Sequence, residues 1–240
     1  MRLLYDSRRR LDPGPVRAAD LRRLYAFPAR PSTRAVMIST LDGSVTGADR
    51  RSGSIGTPAD RTIYLLQREL ADAVLVGAGT ARAESYHPPQ TRADGSRLTL
   101  VVVSERGSLP PSLATASTHP GSVLFITPRS AAPRRLATAR RCLGAEHVWT
   151  IGEDHVDLAE LRARLTGHGL RHLVCEGGPT LLGAMYAADL IDEVALTTAP
   201  LTVGGDASRI INGPAAARQH RLAVLLEGSN TLLGLWRVQR

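Results

Sequence analysis

The chain has 240 residues, 43% of them hydrophobic and 22% charged, enough for one sizeable core and against a mainly disordered state. Its formal net charge is +8 and all 30 Lys+Arg side chains are arginine, read first as a bias toward arginine codons and otherwise as suited to anions gripped by bidentate contacts. The arginines are dispersed and aromatic residues are only 4%, a pattern that argues against nucleic acid as the partner, and no apolar run is long enough to span a membrane.

Residues 1–32 are polar and proline-dotted and read as an N-terminal arm with one short helix near Asp20–Tyr25. Residues 33–240 read as one domain. Short apolar runs predict buried strands at Ala35–Ser39, Ala73–Val76, Leu98–Val103, Val123–Thr127, His147–Ile151, His172–Cys175 and Val194–Thr198. Thr57-Pro58 supplies an N-cap and a proline at N1 for a helix running to Leu70. A second helix is predicted over Asp157–Gly167 and a third over Pro179–Ala188. Gly95 and the Pro110–Pro120 stretch read as loops. At the end of the chain, Arg221–Glu227 and Thr231–Gln239 flank Gly228-Ser229-Asn230 and predict an antiparallel hairpin. Alternating buried strands and helices give an α/β class with a mainly parallel sheet covered on both faces.

Two cysteines, Cys142 and Cys175, form no CxxC, so no disulfide framework is expected and the cytoplasm is the expected compartment. The N-terminus has arginines without an apolar segment behind them and does not read as a secretory signal. The seven histidines show no zinc-ligand spacing, and no metal is expected.

Three strand ends carry candidate chemistry. Val76-Gly77-Ala78-Gly79-Thr80 takes a strand into a glycine pair and then a helix start. It is either a tight structural turn or a place where free N–H groups meet a phosphate. Cys175-Glu176-Gly177-Gly178-Pro179-Thr180-Leu181-Leu182 repeats the arrangement, with Pro179 suited to N1 and Glu176 at the point where the strand leaves the sheet. Two such turns together favour a dinucleotide pyrophosphate. In Ser39-Thr40-Leu41-Asp42-Gly43, Asp42 is either a turn former or a carboxylate presented to a substrate ring.

These motifs, followed by Asp192-Glu193 and by Pro200-Leu201-Thr202-Val203-Gly204-Gly205, stand in the order and spacing of the reductase domain of the riboflavin-biosynthesis deaminase–reductase. The chain resembles that pyrimidine reductase family over about residues 33–240. The resemblance implies a dihydrofolate-reductase-like three-layer α/β sandwich with a mainly parallel central sheet and a C-terminal antiparallel hairpin. It implies NADPH as cofactor, a phosphorylated small-molecule substrate and a homodimer. Ile38, Gly77, Gly79, Thr80, Ser104, Gly177, Gly178, Pro179, Thr180, Leu181 and Leu182 would meet the cofactor. Arg106 joins them on chemical grounds, because a guanidinium after that strand would select the 2′-phosphate. Ser52, Arg68, Glu84 and Arg92 would bind substrate, with Arg68 and Arg92 as the phosphate grips. Asp42 and Glu176 would orient or protonate it.

The implied reaction is that of a 5-amino-6-(5-phosphoribosylamino)uracil reductase: hydride reaches C1′ of the ring-opened imine and leaves a ribityl chain. The His-x-Glu and Pro-Cys-x-x-Cys signature of the deaminase is missing from the sequence, so reduction alone is expected. Ser44 stands where the family usually has a basic residue, and Glu84-Ser85-Tyr86-His87-Pro88-Pro89 replaces its usual substrate loop. A paralogue reducing dihydrofolate or another pterin-like ring, and a dinucleotide-binding protein without catalysis, stay open beside this expectation.

Overall fold

A computed structural model describes residues 1–90, 92, 95–114, 122–215 and 217–240. The strands are β1 (Arg2–Asp6), β2 (Gly14–Pro15), β3 (Ser32–Thr40), β4 (Ala73–Gly77), β5 (Thr99–Val103), β6 (Val123–Thr127), β7 (Val148–Thr150), β8 (His172–Cys175), β9 (Glu193–Ala199), β10 (His220–Gly228) and β11 (Thr231–Val238). They form one sheet in the order β2-β1-β10-β11-β9-β3-β8-β4-β5-β6-β7. The run from β9 to β7 is parallel throughout, while β2, β1, β10 and β11 are antiparallel. The helices are α1 (Ala18–Leu24), α2 (Pro58–Leu70), α3 (Ala78–Ala83), α4 (Pro133–Leu143), α5 (Leu158–Gly167) and α6 (Pro179–Ala187).

The continuous apolar runs follow from burial on two faces at once. Along β4 and β5, Leu75, Val101 and Val103 point to one core, shared with Leu161 and Leu165 of α5 and Leu182 and Met185 of α6. Val74, Val76, Leu100 and Val102 point to the other, shared with Ala78 and Ala81 of α3 and Ala139 and Leu143 of α4. Successive side chains of a strand face opposite ways, so a strand covered on both sides has no polar positions to spare. This is the expected α/β arrangement, with the expected C-terminal hairpin.

Two segments differ from expectation. The N-terminal residues are built into the sheet: β1 pairs with β10, and Leu3, Leu21, Leu24 and Tyr25 are buried against α2 and the hairpin. No helix was expected at Pro133–Leu143, where Pro133 sits at N1 and arginines crowd the exposed face. Within the expected Pro110–Pro120 loop, Pro111–Leu113 form a 3-10 turn, and 115–121 lie outside the described residues.

A buried arginine fixes α2 against the sheet. Arg34 of β3 is 0% exposed. It gives Nε and Nη2 bonds of 3.0 and 2.5 Å to Glu193 of β9, and Nη1 bonds of 2.7 Å to the Gln67 side chain of α2 and 2.8 Å to the Tyr25 carbonyl. Removing Arg34 leaves the buried Glu193 with Arg237 alone, 3.2 Å away on its other oxygen, and leaves the Gln67 oxygen and the Tyr25 carbonyl without their donor. Arg34→Leu is therefore expected to destabilise the fold by about 3 kcal/mol. Urea unfolding would check this, and an unchanged midpoint would contradict it.

Candidate active site

The C-terminal ends of β3, β4 and β8 open into a cavity of about 590 Å³. Its walls include Met37 and Ile38 of β3, Val45 and Thr46 of the following loop, Asp60, Arg61 and Tyr64 of α2, Thr80 and Glu84 around α3, and Glu176, Gly178 and Pro179 at the start of α6. Crevices outside the carboxyl ends of parallel strands are where such sheets bind ligands.

α2 reaches this wall through its phase. Thr57 accepts the Asp60 N–H at 3.2 Å and caps the helix, with Pro58 at N1. Ala59, Ile63, Leu66 and Gln67 face the core. Asp60, Tyr64 and Arg68, each four residues from the next, then lie along one adjoining stripe. Glu176 collects the lower end of that stripe. Its carboxylate accepts Arg68 Nε and Nη2, both at 2.7 Å, the Tyr86 hydroxyl at 2.5 Å and the Tyr64 hydroxyl at 3.2 Å. The Arg68 guanidinium lies 4.7 Å from the Tyr64 ring centroid and 5.4 Å from that of Tyr86. Burial and the neighbouring Glu176 charge push both phenols above their ordinary range. Both carboxylate oxygens of Glu176 receive hydrogen bonds, so this group organises donors around it.

The two glycine turns are one structure. β4 and β8 are neighbours, and the Gly77 N–H donates to the Gly177 carbonyl at 2.7 Å. Gly177 has φ +78°, a conformation that L side chains rarely adopt. A Cβ on Gly178 would stand 2.3 Å from Thr80 Oγ1. Beyond them α6 starts at Pro179, and its first-turn N–H groups lack intrahelical acceptors. These features fit a dinucleotide: backbone can approach closely, and the helix N-terminus offers N–H groups suited to an anion.

The expected site residues divide. Ile38, Ser52, Thr80, Glu84, Glu176, Gly178 and Pro179 line the cavity. The Glu84 carboxylate accepts the Ser52 N–H at 2.7 Å and its hydroxyl at 3.0 Å. Gly77, Gly79, Gly177, Thr180, Leu181 and Leu182 belong to the two turns but not to the cavity wall, and the Leu181 and Leu182 side chains are in the core. Asp42 lies outside the cavity. One carboxylate oxygen accepts the Val203 and Gly204 N–H groups at 3.0 and 2.6 Å, and the other accepts the Thr40 hydroxyl. Those bonds, led by Thr40, hold its pKa at about 2 and tie it to the loop after β9. Arg68 is closed into the Glu176 pair, and Arg92 caps the end of α2 by donating to the Arg68 and Ala71 carbonyls. Neither residue is part of the cavity wall. The cations on the cavity wall are Arg50 and Arg61.

Ser104 closes its own turn, accepting the Ser108 N–H at 3.0 Å. Arg106 is exposed within that turn. Arg82 donates to the Ser108 hydroxyl at 3.1 Å and Arg135 to the Arg106 carbonyl at 2.8 Å, so three arginines surround it. Among the described residues no group of His, Cys, Asp or Glu is placed to hold a metal, and no helix is long and apolar enough to cross a membrane.

Sequence reading missed Asp60, Arg61, Tyr64 and Arg50. The spacing of Asp60, Tyr64 and Arg68 was visible, but a polar stripe on an amphipathic helix looks the same whether water or a ligand covers it.

Residues 31–233 match the family model of the RibD C-terminal domain. A 2,5-diamino-6-ribosylamino-4(3H)-pyrimidinone 5′-phosphate reductase from Methanothermobacter thermautotrophicus is 34% identical over 178 residues, 72% of this chain and 80% of the relative. A reductase of the same name from Archaeoglobus fulgidus is 25% identical over 204 residues, 80% of this chain and 91% of the relative. The crystal structure of a pyrimidine reductase-like protein from Corynebacterium diphtheriae shares the fold, with a TM-score of 0.80 at 23% identity over 92% of this chain and 98% of that one.

Proposed function

Because the chain belongs to the RibD C-terminal domain family, we propose that it is an oxidoreductase of riboflavin biosynthesis that reduces a phosphoribosylamino-pyrimidine to its ribitylamino form with NADPH. The observation that carries this is the fusion of the two glycine turns beside the cavity, through the Gly77 N–H and the Gly177 carbonyl. When bound, NADPH supplies the hydride that reduces C1′ of the ring-opened imine. The first turn of α6 would hold the pyrophosphate, with Thr80 and Ile38 beside the nicotinamide end. Arg106, with Arg82 and Arg135 around the Ser104–Ser108 turn, would meet the 2′-phosphate and favour NADPH over NADH.

Glu176, with Arg68, Tyr64 and Tyr86, would position the substrate, and Ser52 and Glu84 would bound it on the other side. The protein's contribution is to hold two reactants in line in a walled cavity. A homodimer belongs to the same proposal. In it the hairpin would meet its partner through exposed Leu232 on a face of the sheet, since β10 and β11 are flanked by β1 and β9.

The substrate phosphate falls to Arg50 and Arg61, at the exposed side of the cavity. Arg61→Gln is expected to raise KM for the phosphorylated substrate about tenfold, as for loss of a charge-assisted hydrogen bond. KM for the dephosphorylated compound and for NADPH should stay constant. An equal rise for both substrates would remove the residue from phosphate binding.

The test of the function is NADPH oxidation with the phosphoribosylamino-pyrimidine, with dihydrofolate run in parallel. Oxidation with the pyrimidine supports the proposal. Oxidation with dihydrofolate alone moves the enzyme to pterin-like rings, and NADPH binding without turnover on either makes it a dinucleotide-binding protein.

A further inference from the structure

Reduction of an imine needs a proton as well as a hydride, and the described cavity wall holds few groups able to give one. Its three carboxyl groups all act as acceptors. Glu84 takes the N–H and hydroxyl of Ser52, Asp60 takes the Thr197 hydroxyl, and Glu176 takes Arg68, Tyr64 and Tyr86. Asp42 lies outside the cavity. The wall also carries two phenols, Tyr64 and Tyr86, and its other hydroxyls are aliphatic and weaker acids than a phenol.

The two phenols are not equivalent. A carboxylate has about four acceptor positions, about two on each oxygen. Glu176 Oε1 receives one donor, Arg68 Nε at 2.7 Å. Glu176 Oε2 receives three: the Tyr86 hydroxyl at 2.5 Å, Arg68 Nη2 at 2.7 Å and the Tyr64 hydroxyl at 3.2 Å. That oxygen is overfilled, and the longest of its bonds belongs to Tyr64. Turning the Tyr64 hydrogen into the cavity costs little, because Oε2 keeps two shorter donors. Turning the Tyr86 hydrogen would break the shortest bond of the cluster.

We propose that Tyr64 is the acid of the reaction and gives its hydroxyl proton to the nitrogen of the C1′=N bond. This rests on the reductase function proposed above and adds the group that completes it. As C1′ gains hydride from NADPH, the π pair of the C1′=N bond moves to nitrogen, and nitrogen takes the Tyr64 proton. The double bond becomes a CH2–NH single bond. The Tyr64 oxygen is left as a phenolate and regains a proton from solvent. The charged and titratable groups facing it are Arg61 and Arg68 of its own helix, Tyr86 beyond α3 and Glu176 before α6. Arg68, 4.7 Å from the ring centroid, offsets the phenolate charge. Burial, and after it Glu176, raises the Tyr64 pKa above its ordinary value. The hydroxyl therefore holds its proton through the neutral range and recovers it readily. A nitrogen receiving an electron pair is more basic still, so a weak acid suffices.

The experiment measures single-turnover rates with the phosphoribosylamino-pyrimidine from acid to alkaline pH in the wild type, Tyr64→Phe and Tyr86→Phe, with a separate NADPH titration by fluorescence. Tyr64→Phe is expected to lower the rate about 100-fold at neutral pH, within the range for loss of a general acid. The ratio of wild-type to Tyr64→Phe rate should shrink as the pH falls, because hydronium then replaces the missing phenol. Taking the ratio cancels titrations common to both enzymes. Tyr86→Phe should give a smaller loss whose ratio does not change with pH, and NADPH affinity should hold in both variants. A Tyr64→Phe ratio that stays constant across the pH range overturns the proposal, since a merely structural contact would do that. A ratio that varies with pH only in Tyr86→Phe overturns it too and moves the proton to the other phenol. In both cases the wild type still oxidises NADPH, and the reductase function stands. No oxidation by the wild type removes the function and this proposal together.

Discussion

Replacing Glu176 by glutamine is expected to lower turnover by about 100-fold while leaving NADPH affinity within about threefold, the pattern for loss of a preorganised partner at the reacting centre. The size follows from how many groups this carboxylate organises. It closes a bidentate pair with Arg68 and takes the hydroxyls of Tyr64 and Tyr86. A glutamine amide keeps one acceptor oxygen and places an NH2 where the other stood. That NH2 must face a guanidinium or a hydroxyl hydrogen, so at least one donor turns away and Arg68 loses its counter-charge inside a largely desolvated cluster. The cofactor turn is supported separately, by the Gly77–Gly177 bond and the start of α6. Single-turnover rates with NADPH, together with a separate NADPH titration, would check the split. A fall in NADPH affinity equal to the fall in rate would mean that Glu176 props up the turn instead of positioning substrate. Tyr86→Phe should show a smaller loss of the same kind, because it removes one donor and leaves the ion pair intact.

What could be read from the sequence, and what could not, divides by the range of the interaction. Helix α2 was legible to the residue because its start is local: a threonine cap followed by a proline at N1. Strands β4, β5 and β6 were legible because double-sided burial writes itself as an unbroken apolar run. β1 was not, since Arg2–Asp6 carries one buried apolar residue, Leu3, beside a buried Asp6, and owes its extended form to β10, more than two hundred residues away. The glycine turns were recognisable singly, and the sheet order that brings β8 next to β4 made them one site. Asp42 shows the opposite case. The sequence left it open between a turn former and a substrate carboxylate, and its bonds to the Val203 and Gly204 N–H groups, 161 and 162 residues away, could not be read from it. Arg68 and Arg92 looked like free cations for the same reason: what consumes them, Glu176 and the end carbonyls of α2, is visible only in three dimensions.

Gly178→Ala should weaken NADPH binding about tenfold or more, the equivalent of 1–3 kcal/mol of overpacking. The backbone there, at φ −67°, would accept alanine without strain. The obstacle is space, since the new Cβ would stand 2.3 Å from Thr80 Oγ1 and 3.7 Å from its Cβ. Something must move, and a β-branched side chain on a short helix has few rotamers to move into. Thr80 either swings its hydroxyl into the cavity, where the nicotinamide end would lie, or pushes α3 and the Gly77–Gly177 contact apart. Both damage the cofactor site while sparing the substrate cluster at Glu176, so KM for NADPH should rise with little change in the rate at saturating cofactor. The double variant Gly178→Ala, Thr80→Ala separates the clash from other causes. Removing the hydroxyl clears the space, and NADPH affinity should return to that of Thr80→Ala alone. If the double variant is instead as weak as the product of the two single losses, the two positions act independently, and the close approach of the two turns is not what shapes the cofactor site.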